Sequence, residues 1–320
     1  MSRMGGWARR REWSRYREDF VTVRVRPKVD PPRHPAWAPD LRSDTAIVLQ
    51  GPLHRENDFT VETVRRYRTN FPHAPIVVST WNDQRGPDTE RLEALDAVVV
   101  TQDPPAFRGV QNANLQMLSA TLGVQEAARL GATYVLKSRT DQRAYSERLL
   151  GLLRSAVDQY PIGRDGGSQR QRVIALSLNS FAYRMYGVSD MFTFGLVEDV
   201  RRYWDGTLDT RSIPEPIETF THREFAEMRV CEVRYCTDFL SRTGWSLGWS
   251  LEDSWRAISE RFLILDAATV DLIWPKYSVR EDRWRTYDGN PQFQEIDFAM
   301  WLMMFSGWLH PDETILDMPW

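Results

Sequence analysis

Tyr134-Val135-Leu136-Lys137-Ser138-Arg139-Thr140-Asp141 reads as a buried strand that runs into a charged edge. Three apolar residues without polar alternation suit a strand covered on both faces, as in parallel sheets. Side chains alternate across a strand, so Lys137, Arg139 and Asp141 share one side of its carboxyl end. Upstream, a helix is expected from about Asn112 to Leu130, with Leu115, Leu118 and Leu122 on one face and Gly131 as its stop. Three more strand-sized apolar runs precede it: Ala46–Leu49, Ile76–Val78 and Ala97–Val100. Helical stretches separate them. Asn57–Phe71 carries Val61, Val64, Tyr67 and Phe71 at helical spacing and is stopped by Pro72, and a shorter helix lies near Asp88–Leu95. Such alternation predicts βαβ units and a mostly parallel α/β sheet flanked by helices. Ligands of these sheets bind beyond the carboxyl ends of the strands. Four segments are thereby singled out: Gln50-Gly51-Pro52, Ser79–Asn82, Gln102-Asp103 and Lys137–Asp141.

Further outward the pattern is mixed. Val173–Leu178, Met191–Phe194 and Phe262–Leu265 read as strands, and Glu198–Trp204, Glu224–Arg242 and Ser250–Arg261 as helices, the last capped by Ser250. Gln159–Arg172, Thr207–Thr221 and 275–295 read as polar, irregular segments. Residues 1–42 form a distinct arm in which Trp7, Trp13, Tyr16 and Phe20 are interleaved with arginines, followed by Pro31, Pro32, Pro35 and Pro39. This arm is either a peripheral membrane or partner contact or a segment packed on its own domain. The expected organisation is an arm at 1–42, a domain at 43–280 with halves 43–160 and 161–280, and an extension at 281–320.

Composition narrows the function classes. A formal charge of −3 argues against a nucleic-acid protein. Cys231 and Cys236 sit roughly 140° apart on a helix, so they neither bridge nor chelate, and a reducing, cytoplasmic setting is expected. The first residues show no apolar signal region. The longest apolar run, Phe298–Leu309, is shorter than the roughly 20 residues a membrane span needs. Of 41 basic residues only Lys28, Lys137 and Lys276 are lysine. Arginine offers a planar fork suited to phosphate. None of the histidines (His34, His54, His73, His222, His310) forms a metal-spaced pair, and no Gly-x-Ser-x-Gly or P-loop is present.

Two cations and one carboxylate at the end of 134–141 suit a diphosphate and a divalent metal. The runs IVLQGPL (47–53), NFP (70–72), VVSTW (77–81), QDPP (102–105), Asn114 with the LGVQEA helix, YVLKSRTD (134–141), VSDMFTFG (188–195) and LIWPKY (272–277) together resemble the WavE family, linked to lipopolysaccharide core synthesis. The resemblance spans about 46–280. It implies a GT-A-like, nucleotide-diphospho-sugar transferase fold, and a glycosyltransferase that moves a sugar from a nucleotide-sugar donor to a surface glycan or glycolipid. It places Asp141 where GT-A enzymes keep the second Asp of a metal-binding Asp-x-Asp. Arg139 occupies the earlier position, so Mn²⁺ or Mg²⁺ at Asp141 is expected beside the alternative of a metal-independent site in which Arg139 takes over part of the ion's role.

In that light the donor would be bordered by Gln50, Gly51 and Pro52, by Thr80, Trp81 and Asn82, and by Asn114, with Lys137, Arg139 and Asp141 on its phosphates. Asp190 is the first candidate for the base that takes the acceptor proton, with Glu232 and Asp238 as rivals. Trp245 and Trp249, in GWSLGWSLED, are candidates for stacking on acceptor sugars or for simple packing. Two other readings remain. A nucleotidyltransferase on a similar sheet would carry a glycine-rich basic loop after the first strand, which Gln50–His54 is not. A non-catalytic glycan-binding protein would keep the tryptophans and bind no nucleotide.

Overall fold

The first four strands are β1 (Thr45–Gln50), β2 (Ile76–Trp81), β3 (Val98–Gln102) and β4 (Tyr134–Arg139). They belong to a computed structural model that describes residues 25–29, 39–163, 165–212, 220–275 and 291–320. The chain divides into two compact units, Met1–His34 and Pro35–Trp320, and the second contains all the named strands and helices. Most of the arm, Lys276 and Tyr277, and the first ten residues of the 281–320 extension lie outside the described residues.

β1 and β2 are buried along their whole length, as their unbroken apolar character requires. Helices α1 (Phe59–Asn70), α2 (Pro87–Glu93) and α3 (Ala113–Arg129) connect the four parallel strands. Strands β6 (Val173–Leu176), β7 (Thr193–Leu196) and β8 (Phe262–Leu265) complete a seven-stranded sheet in the order β3-β2-β1-β4-β7-β6-β8. The fold is thus α/β, with a mostly parallel sheet flanked by helices. Both halves of the expected 43–280 domain contribute to this one sheet.

Within this described seven-stranded sheet β7 alone runs antiparallel to its neighbours. Its start therefore lies at the edge where β1 to β4 end. The residues just before Thr193 arrive where Arg139 leaves, with Lys137 registered opposite Thr193. A second ribbon pairs β5 (Arg143–Ala144) with β9 (Leu272–Ile273) and carries Trp274 back to the same end of β4.

The remaining helices are α4 (Leu149–Gln159), α5 (Val197–Trp204), α6 (His222–Glu227), α7 (Cys231–Arg242), α8 (Leu251–Arg261) and α9 (Phe298–Phe305). Ser250 caps α8 as expected, accepting from the Asp253 N–H. Helix α9, from the extension, packs on α8 and β8 within the same unit.

Two expectations are corrected. The single helix expected over 224–242 is two, α6 and α7, because Arg229 adopts φ +54° between them. The face of α3 against the sheet is not Leu115, Leu118 and Leu122, which are half-buried. It is the smaller set Ala113, Met117, Ala120, Gly123, Val124 and Ala127. The helix sits so close that a side chain at Gly123 would overlap Val48. Large leucines cannot occupy that gap.

Candidate active site at the carboxyl edge of the sheet

Strand β4, which ends at Arg139, and the turn that follows it divide their side chains between two sides. Thr140 turns toward the first βα connection, where its hydroxyl donates to the Pro52 carbonyl at 2.5 Å. Gly51, at φ +115°, brings the backbone close to the Thr140 hydroxyl, and this turn needs glycine. Lys137, Arg139 and Asp141 lie on the other side at increasing distance from the core. Lys137 is fully buried. Its Nζ lies 4.0 Å from the centroid of the Trp204 ring and donates to the Asp190 carbonyl at 2.7 Å. Burial pulls its ammonium below the usual lysine range, against the opposing pull of Asp190. This corrects its expected role. A side chain sealed under an indole cannot reach a donor phosphate, and Lys137 instead ties the 188–192 segment to β4.

Arg139 and Asp141 are partly exposed and form a two-point ion pair. Arg139 Nε and Nη2 donate to Asp141 Oδ1 and Oδ2 at 2.8 and 3.0 Å. Trp274 Nε1 donates to Asp141 Oδ2 at 3.0 Å, and the guanidinium carbon lies 5.2 Å from the Trp274 ring centroid. Burial pushes the Asp141 carboxyl up, but Arg139 and the Trp274 N–H more than offset it and hold it below its ordinary value. The expected metal does not fit this arrangement. Both Asp141 oxygens serve Arg139, the neighbour at 139 is a cation, and among the described residues no group of three His, Cys, Asp or Glu is placed to hold an ion.

Asp190 is 2% exposed. Its Oδ2 has no hydrogen-bond partner among the described residues. Burial, then the Glu232 carboxylate, raise its pKa to about 6, while Lys137, Arg139 and the Cys231 thiol pull it back. Glu232 lies in the first turn of α7, where the helix dipole favours a carboxylate. Cys231 Sγ donates to Glu232 Oε2 at 3.0 Å. Burial and the nearby carboxylates keep this thiol well above its usual pKa, so it acts as a neutral donor. The site therefore joins β4, the segment before β7, and the start of α7.

The other expected residues separate into three groups. Gln50 and Thr80 are buried, Gln50 Oε1 accepting from the Ser119 hydroxyl at 2.5 Å and Thr80 Oγ1 having no partner among the described residues. Trp81 is a core tryptophan at the end of β2, while Pro52 and Asn82 are exposed at the rim, Asn82 donating to Asp103 at 2.7 Å. Asn114 does not face this edge. Its amide donates to the carbonyls of Phe107 and Asp209 and accepts from the Asp209 N–H, which stitches two loops together. Asn112, at φ +65° before α3, is the exposed asparagine of the pair.

The third group lies elsewhere. Asp238 is roughly 240° around α7 from Glu232 and is ion-paired with Arg229 and Arg234, so it is not part of the carboxylate cluster. Trp245 and Trp249 surround Asp253 and Tyr186 rather than the edge. Trp245 Nε1 donates to Asp253 Oδ2, and Trp249 packs edge-on against Tyr186.

Three participants have no counterpart among the sequence candidates. Trp274 belongs to LIWPKY, and nothing in that run marks it as a site residue. Trp204 reads only as the end of a short helix. Cys231 invites disulfide or metal chemistry, although its place next to Glu232 is a signal for a different role.

The profile of the WavE lipopolysaccharide synthesis family matches residues 45–244, which contain β1 to β4, the Asp190 segment and all of α7. No curated protein sequence matches the chain significantly. Among solved structures, it is similar to the mannose-1-phosphate geranyltransferase of Thermus thermophilus, at 18% identity and TM-score 0.27 over 42% of this chain and 41% of that one. It is also similar to a protein from Desulfovibrio desulfuricans assigned as a nucleotide-diphospho-sugar transferase, at 8% identity and TM-score 0.39 over 83% of this chain and 99% of that one. Neither likeness bears on chemistry. The family match covers well over half of the chain, and the chain belongs to the WavE lipopolysaccharide synthesis family.

Proposed function

We propose that this chain is a glycosyltransferase that moves a sugar from a nucleotide-sugar donor to the hydroxyl of a surface glycan or glycolipid acceptor. The carrying observation is the Asp190 carboxyl: buried, raised to about 6, with Oδ2 lacking a partner among the described residues, beside Glu232 and at the same edge as Arg139. A general base needs a pKa near working pH and an unpartnered acceptor oxygen, and Asp190 supplies both; because it is 2% exposed, the acceptor hydroxyl reaches it only when the segment around it moves aside. In the reaction, the acceptor oxygen bonds to the anomeric carbon as its proton passes to the Asp190–Glu232 pair. The bond from that carbon to the donor diphosphate breaks, and the diphosphate leaves with the electron pair. Arg139 offsets the charge that develops on it. The Gln50–Pro52 turn and the rim at Asn82 border the nucleoside. Family membership supports the acceptor class. No helix among the described residues is long and apolar enough to cross a membrane, and a membrane-anchored acceptor would be met from the surface, in keeping with the basic arm at 1–42.

The test is a panel of UDP-, GDP-, CMP- and dTDP-sugars. One donor should raise the melting temperature and be consumed with a glycan acceptor, and Asp190→Asn should keep the thermal shift while losing transfer. Full transfer by Asp190→Asn would refute the assignment of the base. Formation of a nucleotide-sugar and pyrophosphate from a nucleoside triphosphate and a sugar 1-phosphate would establish the nucleotidyltransferase reading instead.

A further inference from the structure

The Asp141 carboxylate stands where the family resemblance places a donor-site metal, yet both of its oxygens already accept hydrogen bonds. Oδ1 accepts from Arg139 Nε, and Oδ2 from both Arg139 Nη2 and Trp274 Nε1. A two-point guanidinium–carboxylate pair is among the strongest side-chain hydrogen-bonding arrangements, and it fixes direction as well as distance. The Trp274 ring lies beside the guanidinium and leaves the pair little freedom to rotate. An ion that chelated both oxygens would have to displace Arg139, and one that used only the remaining lone pair of Oδ1 would gain a single oxygen from this residue while lying next to the guanidinium charge. No second carboxylate compensates from the strand, since β4 puts Lys137 and Arg139, both cations, on the side to which the following turn brings Asp141. Asp190 and Glu232 lie deeper in the fold, beside Lys137 and Cys231.

We propose that this chain binds the diphosphate of its donor without a divalent metal, Arg139 supplying the positive charge and Asp141 with Trp274 holding the guanidinium in place. Asp141 is then a positioning residue. It grips the fork by Nε and Nη2 and fixes the guanidinium charge at the end of the sheet. The depressed pKa of Asp141 agrees with this, because a carboxylate paired so firmly stays ionised throughout the working range. The inference rests on the donor reading given under Proposed function and goes further by naming what neutralises the leaving group.

The test separates the two. Calorimetry with UDP, GDP and dTDP is run on the full chain in excess EDTA and again in excess Mn²⁺ or Mg²⁺, and Mn²⁺ binding to the protein alone is followed by electron paramagnetic resonance. One nucleotide should bind equally well under both conditions, and free Mn²⁺ should keep its solution signal. Arg139→Ala should weaken that nucleotide by about 10- to 100-fold, as expected for a charged hydrogen bond to phosphate. Asp141→Asn should weaken it less, and Asp141→Glu should restore most of the loss. Circular dichroism confirms that each variant is folded. If affinity rises tenfold or more with Mn²⁺ and Asp141→Asn removes that gain, Asp141 is a metal ligand and the inference fails while the donor reading stands. If no nucleotide binds under either condition, the donor reading fails and takes this inference with it.

Discussion

Asp190 and Asp253 are both nearly buried aspartates, and they could hardly be treated more differently. Asp253, in the first turn of α8 just after the tryptophan-rich segment, accepts from the Tyr186 hydroxyl at 2.6 Å, the Gly248 N–H at 2.9 Å, Trp245 Nε1 at 3.2 Å and Arg256 Nη2 at 2.7 Å. Burial pushes its pKa up, but these donors win and hold it below the ordinary carboxylate range. Asp190 has the burial with Oδ2 unpartnered among the described residues and a second carboxylate nearby, and these outweigh Lys137, Arg139 and the Cys231 thiol, so its pKa moves the other way. A buried carboxylate saturated with donors is a structural tie. One left with an open lone pair at a strand edge, at a cost to stability, is a candidate for chemistry. The tryptophans stand out in the sequence, yet they serve the first kind of aspartate.

The largest effect expected from this contrast is catalytic. Asp190→Asn should lower transfer by about 10²- to 10⁴-fold, the span typical of losing a general base, whereas Asp253→Asn should leave turnover per folded molecule unchanged. Comparing both variants in one transfer assay checks this, and equal losses would erase the distinction. Stability should invert the order. Asp253→Ala strands the Tyr186 hydroxyl, the Gly248 N–H and the Trp245 indole N–H, and should cost roughly 2–4 kcal/mol in urea unfolding.

Asp190→Asn should instead stabilise the protein near neutral pH, by up to about 3 kcal/mol. The sign follows from linkage. A folded pKa raised from 3.8 to about 6 means that the native state holds this proton more tightly than the unfolded chain does. The contribution of the protonated carboxyl is complete below the unfolded value and is lost as pH rises through about 6. The gain from Asp190→Asn should therefore shrink as pH falls toward 4, which denaturant unfolding across that range would measure.

The smallest effect concerns Lys137. Its charge lowers the pKa of Asp190, so Lys137→Met should move the acidic limb of the transfer rate to higher pH, where wild type loses activity as pH falls below about 6. A limb that stays put would mean that the lysine does not act on this carboxyl.

The architecture was legible where single elements decide their own structure. The β1 to β4 runs are apolar enough to read as buried strands, and pleating alone puts Lys137 and Arg139 on one side; Asp141 reaches that side through the turn after β4. Depth was not legible. Lys137 is sealed by Trp204 from α5, and Asp141 is closed by Trp274 just after β9, both placed by tertiary contacts that local spacing does not encode. The break between α6 and α7 has no glycine or proline to announce it. Arg229 takes its left-handed backbone while its side chain bonds Thr237 and Asp238 on α7. On α3, leucines at helical spacing suggest a core face, whereas Gly123 marks the close approach that excludes them. Asp190 was visible as a carboxylate beside a strand. Its missing partner could be seen only in three dimensions.

The contrast between the two aspartates can be read from one titration. Carbon-13 NMR of the side-chain carboxyls, with Asp190→Asn and Asp253→Asn used to assign the two resonances, follows each group from acid to neutral pH. Asp190 should titrate near 6, and Asp253 should already be ionised below the ordinary aspartate value of 3.8. An Asp190 resonance that titrates at or below that ordinary value would contradict the account, because its carboxyl would then be one more satisfied structural tie.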